Sequence, residues 1–193
     1  MNVIFLDFDG VLDTIHFQSM EDIERRIQIL ADICQEYNCK VVIEASAKEA
    51  IDEETLEVAE GSWVNDIFRL FHKYGIECIG RTPSVEKRIS NTSSLPMWKE
   101  DEIILYLERH PEIKHYCIID DDDTKAMHWK ESDLDKVREH LVETIYYSDN
   151  AEEEGLLPRH KEEVGRILQK ENDVKQLIRR RKNESEGHIW GKR

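Results

Sequence analysis

The feature that most constrains this chain is a series of short apolar runs, each too brief for a helix and each followed by a stretch with helical spacing. Residues 3–8, 40–45, 76–79, 115–119 and 144–148 are rich in branched and aromatic side chains, as buried strands are. Between the first two, Ser19 with Asp22 three residues on forms a capping box. Ile23, Ile27, Leu30, Ala31 and Cys34 then recur at helical spacing to about residue 37. A polar, acidic stretch at 47–60 also reads as helical. Ser62 starts a further helix that carries Val64, Ile67, Phe68 and Phe71 and stops at Gly75. Residues 81–96, with two prolines among Ser, Thr and Asn, read as a long loop. Helices are predicted at 98–110, ended by Pro111, near 134–141, and from 158 to about 182. Strands alternating with helices at this spacing call for an α/β, Rossmann-like three-layer fold. A five-stranded parallel sheet is covered by helices on both faces, with ligands bound outside the carboxyl ends of its strands.

At 193 residues the chain has room for one core. We expect a single domain over 1–182 and a frayed tail over 183–193. Charged residues make up 36% of the chain, and 42 Asp plus Glu against 27 Lys plus Arg leave a net charge of −15. That field repels nucleic-acid backbones and anionic lipid at long range, though screening over about 8 Å leaves room for a local basic pocket. The first apolar run breaks at Asp7, short of a secretory segment, and no run approaches a membrane span. Cys34, Cys39, Cys78 and Cys117 show no metal-ligand spacing and read as reduced core thiols, which points to the cytoplasm. No membrane partner and no obligate protein partner is expected.

On the expected sheet, Asp7 and Asp9 leave the end of the first strand, and Asp120 and Asp121 leave the end of the fourth. Two unit charges 4 Å apart repel by about 4 kcal/mol at an effective dielectric of 20, so such a gathering asks for a cation. Hard oxygen ligands with few thiols or imidazoles nearby suit Mg²⁺.

The segment Asp7-Phe8-Asp9-Gly10-Val11-Leu12-Asp13 resembles the first motif of the haloacid dehalogenase (HAD) superfamily of phosphohydrolases. The resemblance implies that Asp7 is the nucleophile, forming an aspartyl-phosphate, and that Asp9 is the acid/base with its backbone carbonyl on the metal. Gly10 permits the sharp turn after the pair. Tyr116-Cys117-Ile118-Ile119-Asp120-Asp121 resembles the fourth motif, whose paired acids complete the magnesium site; either Asp120 or Asp121 is the direct ligand. Lys99-Glu100-Asp101-Glu102-Ile103 is similar to the basic helix start of the capless HAD domains of Swiss Army Knife RNA repair proteins, and implies that Lys99 neutralises phosphate. The segments 79–83 and 155–157 resemble the same subgroup, so that the likeness covers roughly residues 3–157.

At the second motif the family ends its strand on a Ser or Thr that bonds the phosphoryl oxygens. Here the residues are Glu44-Ala45-Ser46, so Ser46 supplies the hydroxyl unless a one-residue shift places Ala45 there. Glu44 then either points away, meets Lys48 or holds a second cation. Arg81, Lys87 and Arg88 are rival phosphate partners to Lys99. The expected function is a Mg²⁺-dependent phosphomonoester hydrolase with a minimal or absent cap, acting on a phosphorylated small molecule or a phosphorylated nucleic-acid end. The alternative is a catalytically weak HAD-like binding or regulatory module.

Overall fold

The computed structural model describes residues 1–84, 86–90, 93–96, 99–121 and 139–169. Its strands are β1 (Asn2–Leu6), β2 (Cys39–Ile43), β3 (Cys78–Arg81), β4 (Glu86–Ser90), β5 (Ser93–Pro96), β6 (His115–Asp120) and β7 (Leu141–Glu143). Its helices are α1 (Met20–Tyr37), α2 (Val64–Tyr74), α3 (Lys99–Arg109) and α4 (His160–Gln169). Five strands form a parallel sheet in the order β3-β2-β1-β6-β7, as the alternation of elements predicts.

Strand alternation sorts the side chains into two layers. Ile4, Leu6, Val41, Ile43, Cys117 and Ile119 join one apolar cluster with Ile23, Ile27 and Leu30 of α1, Ile67 and Phe71 of α2, and Val164 and Ile167 of α4. Val3, Phe5, Val42, Tyr116 and Ile118 face the other way, onto Ile103, Tyr106 and Leu107 of α3. Helix α1 begins as expected, with the Ser19 hydroxyl accepting from the Asp22 N–H at 3.2 Å. Cys34, Cys39 and Cys117 are buried and Cys78 half-buried, all as free thiols. Among the described residues no helix is long and apolar enough to cross a membrane.

Four expectations are corrected. The stretch 47–60 is not a helix but a short 3-10 turn (Ser46–Ala50) followed by a bridge between Ile51 and Val58. Asp52 diverts it, because its carboxylate accepts from the Glu54 and Thr55 N–H groups and offers the backbone a turn instead. The loop at 81–96 contains the antiparallel hairpin β4–β5. The third strand lies two residues later than 76–79, at Cys78–Arg81. The fifth strand is Leu141–Glu143 rather than 144–148, because the Ile145 and Tyr146 carbonyls accept from Gly155 and Ile15 on neighbouring loops. Most of the helix expected near 134–141, and everything beyond residue 169, lie outside the described residues.

Candidate active site

The register of the sheet builds the site. Leu6 stands opposite both Ile43 and Ile119, so the next residues, Glu44, Asp7 and Asp120, leave three adjacent strands side by side. Ile43 pairs with Arg81, which brings Thr82 into the same row. All four are buried. By alternation, Asp7, Glu44 and Asp120 continue the face occupied by Phe5, Val42 and Ile118, the face covered by α3. Lys99, the first residue of α3, therefore arrives directly on them.

After β1 the chain turns at once. Gly10 has φ +72°, and a Cβ there would fall 2.2 Å from Cγ of Asp121. Glycine thus serves both the left-handed backbone and the close approach of Asp121. Carboxylate oxygens of Asp7, Asp120 and Asp121 lie within 4.8 Å of one another. Such a set of hard oxygen donors, without thiol or imidazole, suits a cation such as Mg²⁺. Asp120 and Asp121 both belong to the cluster.

Lys99 Nζ stands 2.6 Å from Asp7 Oδ2 and 2.7 Å from Asp120 Oδ2. Burial alone would lower the pKa of the ammonium, but Asp120, Asp7 and Glu44 outweigh it and hold it above the ordinary value. The other oxygen of Asp7 accepts the Phe8 N–H at 2.6 Å, which fixes the carboxylate between backbone and lysine. Asp9 is more exposed and receives the Ser46 hydroxyl at 3.5 Å. Partial burial, and then the neighbouring Asp7 carboxylate, raise its pKa. Asp13, beyond the turn, is pushed up to about 6 by burial and by Asp9.

A second layer of charge lies beneath. Glu44 is 2% exposed, and its two oxygens have no hydrogen-bond donor. Of the alternatives weighed for this residue, the structure selects the contact with Lys48, and adds Lys99 on the other side. Lys48 Nζ also meets Glu102 Oε2 at 2.5 Å and donates to Thr82 Oγ1 at 2.9 Å.

Arg81 does not join the site. Its guanidinium donates to the Ile51 carbonyl at 2.6 Å, the Thr82 carbonyl at 3.1 Å and the Ser84 hydroxyl at 3.2 Å, fastening the loop after β2 to the end of β3. The side chains of Lys87 and Arg88 lie outside the described residues, as do Asp122 and Asp123. A cavity of about 220 Å³ beside α1, lined by Phe17, Arg26, Glu154 and Leu156 among others, contains none of the site carboxylates.

Residues 3–149 match the family model for the HAD domain in Swiss Army Knife RNA repair proteins. The chain belongs to this family. No curated protein and no solved structure matches it. The matched span of the HAD domain contains Asp7, Asp9, Gly10, Ser46, Lys99, Asp120 and Asp121, and the fold brings them to one edge of the sheet. Glu102 and Thr82 were not picked out as site residues by the sequence. The signal for Glu102 is its place in the Lys99–Ile103 helix start that resembles the subgroup's, three residues after Lys99 and on the same side of the helix.

Proposed function

We propose that this HAD domain is a Mg²⁺-dependent phosphomonoester hydrolase acting through an aspartyl-phosphate on Asp7. A carboxylate oxygen of Asp7 attacks phosphorus, the bond to the leaving oxygen breaks, and that oxygen takes the proton held by Asp9. Asp9, now ionised, takes a proton from water as the water oxygen attacks phosphorus. The bond to Asp7 breaks, inorganic phosphate leaves and both carboxyl groups return to their starting states. The raised pKa of Asp9 suits a group that must first give a proton and then recover one. Lys99 offsets the charge of Asp7 and of the incoming phosphoryl group, while the Ser46 hydroxyl and the turn at Gly10 receive its oxygens. Asp7, Asp120, Asp121 and the Asp9 carbonyl would hold Mg²⁺, which supplies positive charge opposite the phosphoryl oxygens when bound.

The observation that carries this reading is Asp7, fixed on one oxygen by the Phe8 N–H and on the other by Lys99, beside two further carboxylates. The substrate class we favour is a phosphorylated small molecule or the phosphorylated end of a nucleic acid, and of the two a net charge of −15 favours the small molecule. We take residues 1–182 as one domain working in the cytoplasm. The second reading, a weak HAD-like binding or regulatory module, is favoured by the altered second motif, where Glu44 puts an acid two residues before Ser46, beside the phosphate site. Hydrolysis of an aryl phosphate with and without Mg²⁺ separates the two. The enzyme reading expects Mg²⁺-dependent turnover that Asp7→Asn abolishes with the fold intact; more than a few per cent residual activity removes Asp7 as nucleophile. Asp9→Asn is expected to lose most activity on poor leaving groups and least on good ones, and equal losses would take Asp9 out of the acid/base role.

A further inference from the structure

Glu44 is the least explained side chain in the site. Buried carboxylates are normally answered by hydrogen-bond donors, and this one has none. Its charges are answered at longer range, one per oxygen: Lys48 Nζ lies 3.6 Å from Oε1 and Lys99 Nζ lies 4.0 Å from Oε2. Lys48 is anchored in turn by Glu102 and Thr82, and the Thr82 N–H bonds back to the Ile43 carbonyl of β2 at 2.9 Å. Glu102 sits on α3 one turn after Lys99. The contacts therefore close a ring of alternating charge, from Lys99 to Glu44 to Lys48 to Glu102 and back along α3 to Lys99.

We propose that Glu44 and Lys48 are positioning residues that lock the first turn of α3 to the ends of β2 and β3, and so hold the Lys99 ammonium against Asp7 and Asp120. Replacing such a buried ionic group with a well-packed apolar side chain is often neutral or stabilising, so stability is a poor reason for it to be there. Placement of one cation to within a fraction of an ångström is a better one. The altered second motif is then a rebuilt support for Lys99 rather than a decayed phosphate site. The kinetic part of this inference rests on the hydrolase reading above, and the structural part does not.

The test pairs two measurements on the full chain carrying Glu44→Gln, with Glu44→Asp as the charge-keeping variant. The first is the ¹⁵Nζ NMR signal of Lys99 in ¹⁵N-lysine protein, assigned by its loss in Lys99→Met. The second is kcat and KM for an aryl phosphate with Mg²⁺. Expected for Glu44→Gln are a displaced, faster-exchanging Lys99 signal at near-wild-type melting temperature, and a kcat at least tenfold lower with KM unchanged or lower. Glu44→Asp should recover part of both. An unmoved Lys99 signal with kcat within twofold of wild type, in folded Glu44→Gln, overturns the proposal. Should Glu44→Gln fail to fold, Glu44→Asp decides: a wild-type Lys99 signal despite the shortened side chain counts against the proposal, and a displaced one supports it. Wild-type protein without turnover would instead sink the hydrolase reading, leaving the NMR comparison to judge Glu44.

Discussion

Two fully buried glutamates in this molecule meet opposite fates. Glu154 lies between the 145–157 segment and the turn that follows Asp9, where fixed donors surround it: the Ser148 N–H at 2.9 Å, the His16 N–H at 3.3 Å, and His16 Nδ1 at 2.6 Å. Burial alone would raise its pKa, but these bonds and the Thr14 hydroxyl overcome it and bring the group down to about 2. Glu44, likewise closed to solvent but packed deeper, has only two ammonium groups at longer range, and burial drives its pKa well up. Both side chains are shielded from solvent, but Glu44 is packed far deeper than Glu154, so depth and the supply of donors together decide whether a carboxylate inside this protein is a fastener or a source of strain. Glu154 holds the loop that carries His16, with Arg26 bridging to the Leu12 and Glu154 carbonyls. Around Glu44 the unsatisfied charge is concentrated where a cation and a phosphate would act.

The comparison can be broken at either end. The largest effect is expected from the carboxylate edge. Mg²⁺ at 100 times its dissociation constant should stabilise the wild type by about 2.7 kcal/mol, and the Asp120→Ala, Asp121→Ala double variant should lose that gain. Thermal melts across a Mg²⁺ titration read this, and an undiminished gain in the double variant would mean that the cation binds elsewhere. Next comes Glu154→Gln, expected to cost about 2 kcal/mol because several bonds to a charged acceptor are weakened together. Urea unfolding at neutral pH measures it; a loss no larger than that of Glu44→Gln would erase the distinction between the two glutamates.

The same contrast has a pH signature. Glu154 titrates near 2 when folded and near the ordinary 4.5 when unfolded, so its contribution is present above 4.5 and fades as pH falls toward 2. In Glu154→Gln the acid limb of the stability curve should flatten over that window. Glu44 runs the other way. A raised folded pKa means that stability declines as pH rises above 4.5, so Glu44→Gln should be near neutral or slightly stabilising at pH 7. The smallest effect concerns phosphate: at pH values where Glu44 is ionised, Glu44→Gln removes one negative charge from the site and should bind inorganic phosphate somewhat more tightly by calorimetry. Unchanged affinity from pH 5 to 8 in both proteins would make Glu44 electrostatically silent toward the ligand.

What the sequence could disclose followed distance along the chain. Asp7, Asp9 and Gly10 are legible because a short apolar run and a tight turn are local patterns, and Lys99 because it opens a helix of familiar layout. The row of Glu44, Asp7 and Asp120 needed the register of three strands, which no local pattern supplies. The partners of Lys48 lie 34 and 54 residues away, and those of Glu154 up to 138. Strand β7 slipped for a related reason. Ile145, Tyr146 and Tyr147 have the stronger strand character, but two of their carbonyls are taken by Gly155 and Ile15, and the shorter Leu141–Glu143 pairs instead. The bonds of Arg81 to the Ile51 and Thr82 carbonyls were equally hidden, because a basic residue in a loop leaves no trace of the carbonyls it will bind.

The central claim is that Asp7 carries the phosphoryl group. Acid-quenching the wild-type protein during turnover of an aryl phosphate with Mg²⁺, followed by peptide mass spectrometry, tests it most directly. A phosphoryl adduct on the peptide containing Asp7, absent from Asp7→Asn and accumulating in Asp9→Asn as water attack slows, is the expected result. Steady turnover with no adduct on that peptide, or an adduct that survives Asp7→Asn, would contradict the account.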